Sequence, residues 1–117
     1  MTVAEASTHL SGRVCTAVDA ADSKEIQGGY ASDLLSDVMG NSREGDVWVT
    51  LQKHVNIVAV AQLNSLAGIV LVNGRTPDPA AAERAEAEQI PIITTGLPAF
   101  EAVGILHGLG IRGRRAS

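Results

Sequence analysis

Three short polar groups interrupt the apolar runs of this chain: Thr50-Leu51-Gln52-Lys53-His54, Asn73-Gly74-Arg75-Thr76 and Thr94-Thr95-Gly96. Together they hold hydroxyls, amides and cations, which with nearby helix N-termini suit a small anionic ligand. The same residue types also make ordinary turns and caps. A second group, Ser32-Asp33 and Ser36-Asp37, repeats at a spacing of four. In a helix that spacing puts both carboxylates on one face. With His54 they would offer a hard-cation or acid/base set. The plainer reading is that Ser32 or Asp33 caps a helix and Asp37 is solvated. A catalytic histidine also needs a nucleophile and an orienting carboxylate beside it, and no nucleophile stands in a setting such as Gly-x-Ser-x-Gly. No catalytic residue, metal site or cofactor is therefore expected. His9 and His107 have polar neighbours and read as solvated, while Trp48 reads as core or interface.

The elements that must position these residues follow from periodicity and punctuation. Thr2 with Glu5 reads as a capping box, with Val3, Ala6 and Leu10 as an apolar stripe that Gly12 ends. Arg13 to Val18 is a short strand, Asp19 to Glu25 a polar turn, and Ile26 to Ala31 a second short strand. Ser32 or Asp33 opens a helix whose apolar face is Leu34, Leu35, Val38 and Met39. Asp46 to Leu51 alternates as a strand. Between Asp46 and Gly68 there is no Gly, Pro or turn pair. Lys53 to Ser65 therefore reads as a crossover helix of the length a parallel pair needs, despite its β-branched composition.

Ile69-Val70-Leu71-Val72 has the unbroken apolar run of a central parallel strand, within a strand from Ala67 to Asn73. Asp78-Pro79 reads as cap and first-turn proline of a surface helix to Gln89. Ile90 to Thr95 is a further strand, with Pro91 arguing against a central position there. Pro98 opens the last helix, with Ala99, Ala102, Val103 and Leu106 facing inward and Gly110 ending it. The order β-α-β-α-β-α, with right-handed crossovers, gives one parallel sheet with helices on both faces.

Of the 117 residues, 45% are apolar and only three, Tyr30, Trp48 and Phe100, are aromatic. The core is thus thin and aliphatic, and small domains of this kind often gain stability by pairing. Thirteen acidic residues face nine basic ones, three of which (Arg112, Arg114, Arg115) lie in the last six positions, so the body carries −7. That sign repels phosphate backbones and excludes nucleic acid as the partner of the folded part. The single cysteine, Cys15, forms no internal disulfide and reads as a buried thiol. Glu5 and His9 interrupt any leader-like apolar run, and no apolar stretch approaches the ~20 residues needed to cross a bilayer. A cytoplasmic protein without membrane contact is expected.

Several stretches carry a family resemblance: Gly28-Gly29-Tyr30-Ala31-Ser32-Asp33-Leu34-Leu35-Ser36-Asp37-Val38-Met39, Glu44-Gly45-Asp46-Val47-Trp48-Val49-Thr50, Asn56-Ile57-Val58-Ala59-Val60-Ala61, and Ala67-Gly68-Ile69-Val70-Leu71-Val72-Asn73-Gly74. From Val3 to Ile111 the chain resembles the DRTGG domain family, small α/β modules that stand alone, sit between CBS domains of some inorganic pyrophosphatases, or precede some phosphotransacetylases. Their fold is similar to that of the N-terminal domain of HPr kinase/phosphorylase. The resemblance implies a regulatory or dimerising role and no established reaction. The name-giving motif aligns with Glu25-Ile26-Gln27-Gly28-Gly29, which keeps the glycines and lacks the Arg and Thr. Gly40 to Gly45 has the glycine spacing of a phosphate loop, but Asp46-Val47 stands where Lys and Ser or Thr belong. Nucleotide-triphosphate hydrolysis and kinase activity are excluded on that ground.

The expectations are these. Residues 1–111 form a single three-layer α/β domain, with a short, mostly parallel sheet of about four to five strands and helices on both faces, and 112–117 form a basic flexible tail. The chain is a non-catalytic regulatory and dimerisation module, a homodimer sensing a small anionic metabolite or nucleotide and acting on a partner enzyme. Its ligand-binding residues are Ser32, Asp33, Thr50, Gln52, Lys53, His54, Asn73, Gly74, Thr94 and Thr95. The alternatives are a structural protein–protein adaptor without ligand and, less favoured, a small enzyme using Asp33, Asp37 and His54.

Overall fold

The run Gly68–Leu71 forms a fully buried strand at the middle of the sheet, as an unbroken Ile-Val-Leu stretch requires. In the computed structural model, which describes residues 1–113, the order of elements is α1 (Val3–His9), β1 (Arg13–Thr16), α2 (Val18–Ala21), β2 (Gly28–Ala31), α3 (Leu35–Asn41), β3 (Asp46–Thr50), α4 (Asn56–Leu63), β4 (Gly68–Leu71), α5 (Pro79–Ala87), β5 (Ile92–Thr94) and α6 (Ala99–Gly108). The strand order is β1-β5-β4-β3-β2. The four strands β2 to β5 run parallel, and β1 closes one edge antiparallel to β5.

The apolar segment after Lys53 is a helix, and its flanking strands lie side by side in parallel, Val47 opposite Gly68 and Thr50 opposite Leu71. Alternation along each strand feeds two cores. Trp48, Ile69, Leu71 and Ile92 point to the face covered by α3, α4 and α5. Val47, Val49, Val70 and Ile93 point to the face covered by α1, α2 and α6. The domain is thus a three-layer α/β fold with a mixed five-stranded sheet. The capping box of Thr2 and Glu5 is present at the start of α1.

Several local details differ from the sequence expectation. The segment read as a polar turn contains one helical turn, α2, which starts after Ala17 in the left-handed region (φ 50°) and is anchored by buried Ala21. Neither Ser32 nor Asp33 caps α3, which starts at Leu35 with extended Leu34 before it. Only Val38 and half-buried Leu35 pack inward there; Leu34 and Met39 are exposed, because this two-turn helix follows the edge strand β2 and is covered only along α4. Asp78 likewise makes no capping hydrogen bond to α5. β5 is an interior strand, and Pro91 is accommodated because it lies one residue ahead of the ladder, where only its carbonyl is needed, accepting from Ile69 N at 3.0 Å. In α6, Ala102 and Leu106 are buried, but Ala99 is exposed and Val103 is 38% exposed. Cys15 is half-buried, and burial raises its thiol above the ordinary range.

Glycine is required where α1 turns into β1: a Cβ on Gly12 would stand 2.6 Å from the Thr94 carbonyl oxygen. The expected tail begins at Arg112, whose carbonyl accepts from Gly29 N at 3.0 Å; residues 114–117 lie outside the described residues. No helix among the described residues is long and apolar enough to cross a membrane.

Candidate functional site

Because β2 to β5 are parallel, their carboxyl ends and the loops that follow gather on one rim of the sheet, where open α/β sheets bind ligands. Three interlocked pairs of loops build it. At the β2–β3 end, the Asp33 carboxylate accepts from Thr50 Oγ1 at 2.8 Å and from Leu51 N at 2.7 Å. Gln52 Nε2 donates to the Asp33 carbonyl at 3.0 Å, and Gln52 N donates to Thr50 Oγ1 at 3.1 Å. Ser32 supports the same turn: its hydroxyl accepts from Leu34 N, and its carbonyl accepts from the indole N–H of buried Trp48 at 2.8 Å.

At the β3–β4 end, Asp78 reaches across to the loop after β3. Its two carboxylate oxygens lie 3.3 Å from Lys53 Nζ and 2.6 Å from His54 Nδ1, and its amide donates to the Lys53 carbonyl at 2.9 Å. The hydrogen bond from His54, then the one from Lys53, holds the Asp78 carboxyl below the ordinary carboxylate range. At the β4–β5 end, Asn73 and Gly74 both adopt positive φ, 58° and 70°, so that their amides donate to the carbonyls of Leu97 and Thr95. The buried Thr95 hydroxyl donates to the Leu10 carbonyl at 2.7 Å and accepts from Leu97 N. Thr94 is part of β5, between Leu71 and Arg13.

The rim therefore brings together Ser32, Asp33, Thr50 and Gln52 as one cluster, Lys53 with His54 as a second, and Asn73, Gly74 and Thr95 as a third. Most of their polar atoms are engaged in holding the loops. The Asn73 side chain, the Arg75 guanidinium and the Thr94 hydroxyl make no hydrogen bond or ion pair among the described residues. The carboxylates read as a helical pair part company: Asp33 precedes α3 and turns to β3, whereas Asp37 accepts from Tyr30 Oη at 2.8 Å and from Asn41. That phenol holds the Asp37 carboxyl low, and the carboxylate in turn raises the Tyr30 phenol. The set of Asp33, Asp37 and His54 is thus not assembled; the carboxylate beside His54 is Asp78, which the sequence presents as a helix cap. Its signal was topological: loops after adjacent parallel strands are neighbours, so residues after β4 meet residues after β3. Among the described residues no group of three His, Cys, Asp or Glu side chains is placed to hold a metal ion.

Concave regions also lie away from the rim. An open cleft of about 760 Å³ at the opposite end of the strands mixes Lys24 and Arg43 with Glu25 and Glu44, and burial pushes the Lys24 ammonium below the usual lysine range. A smaller apolar groove of about 180 Å³ lies between α6 and the β2–β3 surface. Neither is lined by the rim residues.

No family model and no curated protein matches the chain. Among solved structures it superposes, at a TM-score of 0.73, on the CBS and DRTGG domains of the regulatory region of Clostridium perfringens pyrophosphatase, complexed with activator, diadenosine tetraphosphate. Identity is 18%, and the match covers 90% of this chain and 45% of that one, so this chain spans less than half of that structure. The fold is DRTGG-like. Within this DRTGG-like fold, the segment Glu25-Ile26-Gln27-Gly28-Gly29 leads into β2, whose first two residues are the glycines. Gln27 N donates to the Gly45 carbonyl at 2.9 Å, and a Cβ on Gly29 would press to 3.2 Å from Ile111. The glycines are therefore placed where the chain after α6 returns against the edge strand.

Proposed function

We propose that this chain is a non-catalytic regulatory module which pairs with a second copy, responds to a small anionic metabolite or nucleotide at the carboxyl-end rim, and conveys that state to a partner enzyme. The observation that carries the reading is the fold likeness to the regulatory region of a pyrophosphatase that was solved with the activator diadenosine tetraphosphate. The rim supports it with the Arg75 guanidinium, the Asn73 amide and the Thr94 hydroxyl, which make no hydrogen bond or ion pair among the described residues, and with Lys53 and His54 on the loop after the adjacent strand β3. Asp33 and Asp78 serve in this reading as braces that fix the loops around the ligand. A ligand conveys its state through such loops by binding one of their conformations better than another.

A thermal-shift panel tests this: diadenosine tetraphosphate, mononucleotides, phosphorylated metabolites and divalent cations, each over a concentration series. A ligand at a hundred times its Kd stabilises by about 2.7 kcal/mol through mass action, a shift of several degrees. A concentration-dependent rise with nucleotides or phosphorylated compounds supports sensing. A flat response across the panel overturns it in favour of an adaptor that binds protein alone.

A further inference from the structure

We propose that the outward face of α6, with the groove it forms against β2 and β3, is the surface on which a second copy of this chain docks across a two-fold axis. The proposal rests on the self-pairing reading above and names its surface. α6 carries two stripes at helical spacing. Ala102 and Leu106 point inward and are buried. Phe100, Val103, Gly104 and His107 make the second, at steps of three and four, and all are exposed; Phe100, at 87%, is the most exposed large apolar side chain among the described residues. Beside this stripe runs the groove of about 180 Å³, floored by Gly29, Ala31 and the buried Val47 and Val49 of the sheet, and walled by Val103 and the buried Leu106. A shallower apolar cleft continues along Phe100, Val103 and Gly104, sharing Val103 and His107 with the groove.

A projecting aromatic and an apolar recess on one face are what an isologous contact requires, because each copy then gives its Phe100 and receives the other's. Charge selects the same occupant. Glu101 lies in the first turn of α6, while His107 and Arg112 stand at its end, with the Arg112 guanidinium donating to the His107 carbonyl. A two-fold axis across the helix lays the acidic start of each α6 along the basic end of the other, twice over, and opposes the helix dipoles. Packing within one chain gives no reason for glycine here, since a Cβ on Gly104 or Gly108 would meet nothing within 4 Å. Glycine weakens a helix relative to alanine, and a second helix backbone passing close by supplies the reason the single chain lacks.

Light scattering after size exclusion, at micromolar concentration, compares the natural chain with Phe100→Asp and Gly104→Gln. Both positions are open in the single chain, so both variants fold, which circular dichroism verifies. The expected result is a mass near twice 12.1 kDa for the natural chain, and the single-chain mass for both variants, with self-association weakened at least tenfold. A natural dimer that both variants preserve overturns this surface and leaves self-pairing standing. A natural chain that stays at 12.1 kDa across the concentration range overturns both.

Discussion

Replacing Thr16 by valine should destabilise the domain by about 2–4 kcal/mol, although valine is nearly the same size and more apolar. Thr16 is 2% exposed. Its hydroxyl donates to the Ile90 carbonyl at 2.8 Å and accepts from Ile92 N at 2.9 Å. Those bonds lie where the β1–β5 ladder breaks register, between Val14 and Thr16. The backbone groups of Ile90 and Ile92 lean on this side chain, and both residues are buried. Valine orphans one acceptor and one donor, each costing about 1–2 kcal/mol, the lower part of the range for a neutral group. Serine keeps both bonds and loses one methyl, about 1 kcal/mol. At this chain length a kilocalorie moves Tm by about 4 °C, so valine should lower it by roughly 8–16 °C and serine by about 4 °C. Urea and thermal unfolding can both be followed through Trp48, the only tryptophan and fully buried. A valine variant at least as stable as the serine variant would mean that the hydroxyl bridges nothing of consequence.

Four further outcomes follow from the same geometry. Asp78 should titrate below the ordinary carboxylate range in carbon-13 NMR, and His54→Ala should move its midpoint upward. Because the native carboxyl is depressed, the loop pairing it supports is present above the ordinary carboxylate pKa and is lost as pH falls through the lowered value; an unmoved midpoint in His54→Ala contradicts the assignment. Gly45→Ala should cost about 1–3 kcal/mol in urea unfolding, since φ there is +83° and the new Cβ would lie 2.4 Å from Gln27 Cγ. Gly40→Ala, with open space around it, should instead stabilise by about 0.5–1 kcal/mol. Thr2→Ala should cost about 1 kcal/mol by removing the cap of α1, and equal unfolding midpoints would show that the box is idle.

The layers and most of the sheet were legible because few alternatives satisfy the pattern. A continuous apolar strand such as Ile69–Leu71 must be covered on both faces, and a chain without turn residues from Asp46 to Gly68 has to coil between parallel strands. What stayed hidden depends on packing rather than local signal. Three helix-to-strand turns place Ser11, Ser65 and Gln89 in the left-handed region, where glycine would have marked the boundary. Ala17 does the same before α2, so that helix had no visible start. Asp33 and Asp78 read as caps because they precede helices. Their true partners, Thr50, Lys53 and His54, lie 17 to 25 residues away in sequence and become neighbours only once strand order is known. The rim was legible as a place, and its internal bracing was not.

The proposed seat of an anionic ligand is the carboxyl-end rim. Backbone amide shifts in nitrogen-15 NMR, followed as diadenosine tetraphosphate is titrated in, map it residue by residue. Saturable shifts are expected to centre on Asn73, Arg75 and Thr94, and to reach Lys53 and His54. Shifts confined to the Lys24 and Arg43 end of the strands, or none at saturating nucleotide, would contradict that seat.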